Sequence, residues 1–249
     1  MNRKYKITIL SVFIGGGLLF SQTIGNPVGT QGFKEWTLSA SSNYSNIEIQ
    51  NQKMVARKQI GKLSFGAASW LDVYVLGGAS KLKIKFDPKN YEDDYRFTYG
   101  AGLRCEFLQD TPDRPMELWL DVQAFRFESE NAYFNTTGTV TSPCKNYLSY
   151  DWREMNGSVG ISYLWKRMKV YGGGVGWILQ RIDKKREYWN AQWWGPYKET
   201  FQSGFWYGAA VGVEFRFPLE YRLCIEGMAL NESNYQIMIG INQTKKYNR

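Results

Sequence analysis

The chain contains no histidine, which removes the side chain that most often acts as a general base near neutral pH. Cysteine is also scarce: Cys105, Cys144 and Cys224 are scattered, and no two of them have the CxxC spacing of a metal or redox site. We interpret them as two packing residues and one loop thiol. A site made only of carboxylates stays open as an alternative, but the sequence predicts no catalytic residue, no cofactor and no metal site.

Long apolar runs are missing as well, except for one near the N-terminus. Residues 7–20 are apolar and glycine-containing, follow Arg3, Lys4 and Lys6, and precede small and polar residues that end at Gly25. A basic start, a short apolar run and a small residue before the break are typical of a secretory signal peptide. The run is too short and too rich in glycine to favour a permanent membrane span. We predict a signal peptide over residues 1–25 and one domain over residues 26–249, with an uncleaved anchor helix as the alternative.

The chain is rich in glycine and aromatic residues, and it arranges them with a period of two. Residues 205–217 read FWYGAAVGVEFRF, with apolar side chains at odd positions and glycine, alanine or charge at most even positions. Successive side chains of a strand point to opposite faces, and thirteen residues at about 3.3 Å each span about 40 Å, twice the usual length. A glycine-rich face gains little from bulk water. The pattern therefore predicts a transmembrane β-strand with its apolar face on lipid.

The same alternation recurs along the chain and predicts an all-β, antiparallel up-and-down barrel of about ten strands. Eight strands is the alternative, if the first hairpin is not embedded in the membrane. Short connections alternate with longer ones, and the two longest segments, residues 130–150 and 183–202, fall on the same side, as expected of external loops. The phase slips at Gly77 and Gly78, which predicts a bulge. In residues 169–180 the apolar face consists of Tyr171, Val175, Trp177 and Leu179.

Three segments, GAGLRCEF, YGGGVGWIL and GAAVGVEFRF, together with the signal peptide, carry a resemblance. The chain resembles the small bacterial outer-membrane barrels of the OmpA-transmembrane, OmpX and opacity-protein (porin-like) kind. The resemblance implies secretion through the inner membrane, a place in the bacterial outer membrane and contact with outer-membrane lipid. Barrel enzymes of this size class use a histidine in their sites, so we expect no enzyme. The modest positive charge does not by itself imply nucleic acid.

Charged residues on the inward faces cluster near the short turns. Strand parity places both signs at one level of a narrow lumen, where a low dielectric favours pairing. We predict a structural plug of ion pairs; a narrow polar channel lined by the same residues is the alternative. The predicted layer consists of Arg104, Glu106, Glu117, Asp121, Glu214, Arg216, Arg222 and Glu226.

The last predicted external loop combines basic and aromatic side chains. Such a cluster is suited to a carbohydrate, a lipopolysaccharide phosphate or a surface protein, or it folds over the barrel mouth as a lid. The function expected from the sequence is a structural or surface-interaction role. A narrow porin or ligand-uptake channel is the first alternative, and a soluble periplasmic ligand-binding barrel with its apolar face inward is the second. The cluster consists of Lys184, Lys185, Arg186, Trp189, Trp193 and Trp194.

Overall fold

The computed structural model describes residues 33, 35–49, 52–85, 90–108, 115–135, 144–189, 192–193 and 198–245. The predicted signal peptide, residues 1–25, lies outside the described residues. In the part of the chain that is described, no helix is long and apolar enough to cross a membrane.

Ten long antiparallel strands form the wall of one closed barrel. Each long strand pairs with the long strand that follows it in the chain, and the first (Trp36–Ile49) pairs with the last (Tyr235–Lys245), so the sheet has no free end around its circumference. The prediction of an up-and-down barrel is confirmed, with ten strands rather than eight. The wall consists of β1 (Trp36–Ile49), β2 (Gln52–Ala68), β3 (Leu71–Lys85), β5 (Arg96–Leu108), β6 (Met116–Asn135), β7 (Cys144–Trp165), β8 (Met168–Trp189), β10 (Lys198–Arg216), β11 (Tyr221–Ala229) and β12 (Tyr235–Lys245). Two short strands, β4 (Asn90–Glu92) and β9 (Gln192–Trp193), pair with the ends of β3 and β8.

The outer surface of the barrel is apolar over a band that is bounded by aromatic side chains. Val211 and Phe97 point outward and are 67% and 72% exposed. Trp36, Trp70 and Trp165 are exposed near the short-turn end. So many exposed apolar side chains would be unfavourable in water but are favourable in contact with lipid. Aromatic girdles mark the two membrane–water interfaces of such a band. The band is the membrane-spanning part of the barrel.

Four strands continue well past this band on the side of the long connections. β6 reaches Asn135 and β7 begins at Cys144, so much of the segment 130–150 is strand rather than loop, and Cys144 is not a loop residue. β8 likewise reaches Trp189, and β10 begins at Lys198. The loop predictions were wrong there because a strand outside the bilayer no longer shows an apolar outer face.

Beyond the band the barrel reverses its polarity. On β3, Leu82 and Ile84 point inward and are fully buried, whereas Lys81, Lys83 and Lys85 point outward. The predicted bulge at Gly77–Gly78 is wrong, because the β2–β3 register runs through these residues without a shift; the shifts lie at Gly66/Ala68 and at Glu106/Leu108. Apolar side chains lie on the outer face of β3 within the membrane and on its inner face beyond it, because the surroundings of the outer face change from lipid to water.

The apolar face of β8 also points inward. Tyr171, Val175, Trp177 and Leu179 are buried in the lumen, whereas Val170 on the other face is exposed to lipid. The glycines of β8 at even positions therefore belong to the outer wall. This corrects the rule that the more apolar face of a strand contacts lipid.

Candidate functional site: the closed lumen

The lower lumen, near the short turns, holds a first group of buried charges. Arg104 Nη2 lies 3.8 Å from Glu106 Oε1 and 3.9 Å from Glu117 Oε2, and all three side chains are almost completely buried. Glu117 also forms an ion pair with Lys169 and accepts a hydrogen bond from Ser162 Oγ at 2.7 Å. A carboxylate removed from water is stable as an ion only with such partners.

A second group of charges is centred on Glu214, which is fully buried. Its Oε1 accepts a hydrogen bond from Arg216 Nε at 3.1 Å and lies 3.8 Å from Arg222 Nη1. Lys169 stands directly opposite Glu214 in the β8–β10 register and pairs with Glu117, so it lies between the two groups. The lower lumen thus contains two neighbouring ion-pair clusters joined at Lys169.

The remaining two carboxylates of the predicted layer are held by tyrosines. Tyr74 donates its hydroxyl to Asp121 Oδ1 at 2.6 Å, and Tyr171 donates to Glu226 Oε2 at 2.9 Å. The eight predicted residues therefore all lie at inward positions, and Asp121 and Glu226 accept hydrogen bonds from phenol groups. Their phenol contacts place them beside aromatic rings.

These aromatic rings fill the lumen because glycines face them from neighbouring strands. A Cβ atom on Gly102 would come within 2.4 Å of the Tyr74 ring, and one on Gly212 within 2.2 Å of the Tyr171 ring. The space beside these inner-wall glycines is thus filled by tyrosine rings from the adjacent strands. The inner face of residues 205–217, which carries small side chains, packs against the Tyr171 ring and does not line a pore.

A further ion pair crosses the lumen above the tyrosines. Lys58 on β2 pairs with Glu154 on β7, two strands that are not neighbours in the sheet. Both side chains are fully buried, Trp152 Nε1 donates to the same carboxylate, and Lys58 Nζ lies 5.7 Å from the centre of the Phe125 ring. This contact ties opposite sides of the wall together.

The upper lumen is an apolar core. Ile47, Met54, Phe127, Trp152 and Trp177 are fully or almost fully buried in one cluster of inward side chains. Arg181 enters this cluster with its guanidinium 5.2 Å from the Tyr150 ring centre and its Nε 2.7 Å from Asp183 Oδ1. The same cluster includes Trp119 and Tyr171 beside the lower charges, so it begins within the membrane and continues to Ile47 at the end with the long connections.

Sequence reasoning missed three important lumen residues. Lys169 and Trp177 lie on the β8 face that was taken for the apolar outer face, and Lys58 lies on β2 beyond the part of the strand that the alternation defined. The signal for Lys169 was present, since it shares parity with Arg181 on the same strand. Two basic residues at the ends of an apolar face indicate a lumen rather than lipid.

The predicted aromatic and basic cluster does not lie on a loop. Lys184, Lys185, Arg186 and Trp189 belong to β8, and Trp193 belongs to β9. Trp194 lies outside the described residues. Among the described residues, no group of three or more carboxylate or thiol side chains is arranged to hold a metal ion.

Comparison with known proteins gives a fold and no family. No family model and no curated protein sequence matches the chain. Among solved structures, the translocator domain of the autotransporter NalP from Neisseria meningitidis has a TM-score of 0.52 at 11% identity, over 87% of this chain and 90% of that one. The outer-membrane protease OmpT from Escherichia coli follows with a TM-score of 0.43 at 11% identity, over 85% of this chain and 95% of that one. The first likeness shows that this chain has the fold of an outer-membrane β-barrel.

Proposed function

We propose that this protein is a closed, non-conducting and non-enzymatic barrel of the bacterial outer membrane, with a structural or surface-interaction role. The observation that carries the proposal is the filling of the lumen at each level where side chains are described. Ion pairs occupy the lower part, the Lys58–Glu154 pair crosses the middle, and an apolar cluster occupies the top. An aqueous path would have to pass an apolar core, which does not solvate ions.

The part of the barrel above the membrane supports the surface role. β6, β7, β8 and β10 extend past the apolar band, so their ends are available to a partner outside the lipid. A partner such as a carbohydrate, a lipopolysaccharide or a surface protein would meet this extension first. The proposal includes a relationship to OmpA- and OmpX-like barrels and a signal peptide over residues 1–25.

Conductance in planar lipid bilayers tests the closed lumen. The unaltered protein should show no unitary current. A variant that replaces Lys58, Glu154 and Trp177 by alanine removes the crossing pair and one of the large buried rings of the lumen, so it should conduct. A matched variant with Val159→Ala and Val170→Ala, on the lipid face, should stay silent. Current through the unaltered protein would contradict the proposal and favour the narrow channel.

A further inference from the structure

The outward face of the β2–β3 hairpin carries five basic side chains directly above the apolar band. The β2–β3 register places Arg57 opposite Lys81; Lys83 and Lys85 follow at the next outward positions of β3, and Lys53 follows on β2 after Val55, which stands opposite Lys83. We call these five residues the basic patch. Like charges directly opposite each other on a sheet repel and destabilise it.

Only part of this charge is neutralised by neighbouring strands. Glu92 on β4 pairs with Lys81 and Lys83, each at 3.0 Å, and these hydrogen bonds, that of Lys83 first, lower its pKa. Glu48 on β1 stands opposite Lys53. Among the described carboxylates, none is within ion-pair distance of Arg57. Among the described side chains, two acidic residues, Glu48 and Glu92, therefore face the five basic ones.

The height of the basic patch is that of a lipid headgroup. Tyr44 lies opposite Arg57 in the β1–β2 register and packs against Tyr235 with 6.3 Å between ring centres, as expected of the outer aromatic band. On β3 the outward residue next to Lys81 on the membrane side is Ala79. Below the patch, Leu63 and Val75 stand opposite each other and are exposed to acyl chains.

Another pair of basic residues at this end of the barrel differs in one respect. Arg126 and Arg153 also face each other across strands, but Asp151 lies between them, 3.0 Å from Arg126 Nε and 2.7 Å from Arg153 Nη2. Glu128 adds a second carboxylate 2.9 Å from Arg126. At this pair, unlike at Arg57, described carboxylates compensate both arginines.

We propose that the basic patch binds the phosphate groups of an anionic glycolipid of the outer leaflet, with Arg57 and Lys81 as the central contacts. A guanidinium pairs with phosphate through two parallel hydrogen bonds, and an ammonium adds a point charge. Basic clusters at the edge of a bilayer attract anionic headgroups. The bound phosphate would also relieve the repulsion between Arg57 and Lys81.

The test is a titration of the purified barrel, in uncharged detergent, with lipid A carrying two phosphates and with the same lipid after both phosphates are removed. The double variant Arg57→Gln/Lys81→Gln should bind the phosphorylated lipid at least about tenfold more weakly, and the phosphate-free lipid as the unaltered protein does. The matched control is Lys166→Gln/Arg167→Gln, which removes two positive charges at the short-turn end and should leave binding unchanged. Urea midpoints of all variants show that each one is folded.

Three results would overturn the proposal. Equal binding of the two lipids by the unaltered protein would show that phosphate is not recognised. Equal weakening by the control variant would show a general effect of net charge. Displacement of the lipid by millimolar inorganic phosphate would show a free-anion site instead of a lipid site. None of these outcomes depends on whether the lumen conducts.

Discussion

Replacing Lys58 by methionine should strongly destabilise the barrel. Glu154 is fully buried, and its described partners are Lys58 and the Trp152 indole. Among the described residues its Oε2 has no hydrogen-bond partner, so the loss of Lys58 leaves a charge whose remaining described donor is the indole. Removing one member of a buried pair costs about 3–5 kcal/mol, and we expect Lys58→Met to fall in this range.

The double variant Lys58→Met/Glu154→Leu should recover most of that loss. Both charges are then gone, apolar side chains of similar volume fill the space, and replacing a whole buried pair in this way is often neutral or stabilising. The free energy of unfolding from lipid vesicles can be measured by urea titration, with tryptophan fluorescence as the signal. The comparison of single and double variants isolates the coupling between Lys58 and Glu154.

An exposed pair provides the control. Lys83 is 38% exposed and its partner Glu92 is 42% exposed, so Lys83→Met should cost less than about 1 kcal/mol. If Lys58→Met costs no more than Lys83→Met, the carboxylate of Glu154 is not an uncompensated buried charge, and the reasoning about the crossing pair fails.

Four further substitutions, one of them a control, test the wall and one turn of the barrel by the same urea titration. Val211→Arg places a charge near the middle of the lipid-facing side of β10 and should cost about 2–4 kcal/mol; a change below about 0.5 kcal/mol would reject the orientation of the strand. Gly212→Ala puts a methyl group 2.2 Å from the Tyr171 ring and should cost about 1–3 kcal/mol, whereas Gly174→Ala meets nothing within 4 Å and should be nearly neutral. Lys166→Gly should stabilise the turn by up to about 1 kcal/mol, because Lys166 has a φ of 55°; a loss of stability would show that this turn stores no strain.

Much of the fold could be predicted because a period of two survives in every membrane-spanning strand. In β6, for example, Leu118 and Leu120 alternate with Glu117 and Asp121, and the structure has the first pair outward and the second inward. Parity alone gave the inward positions of the charged residues. It could not give their partners, which depend on strands distant in sequence, as with Lys169 and Glu117.

The errors follow from one rule that fails in two places. Sequence reasoning took the more apolar face of each strand as the lipid face, which is wrong outside the bilayer and also inside it where aromatic side chains fill the lumen. On β3 and β8 the faces exchange character where the strand leaves the lipid or where large rings fill the lumen, as Leu82 and Trp177 show. The ends of β7 and β10 were assigned to loops for the same reason. One rule applied inside and outside the bilayer could not have identified these strand ends.

The reversal of polarity on β3 also limits how deeply the barrel can sit in a bilayer. Above Ala79 the outer wall turns from apolar to lysine, so a thicker membrane could cover more of the wall only by dehydrating Lys81 and Lys83. Tilting would help little, since it lowers one side of a wide cylinder while it lifts the other. Hydrophobic mismatch would therefore be accommodated by thinning of the surrounding lipid. The barrel would impose the same hydrophobic thickness on the adjacent membrane, whatever lipids surround it.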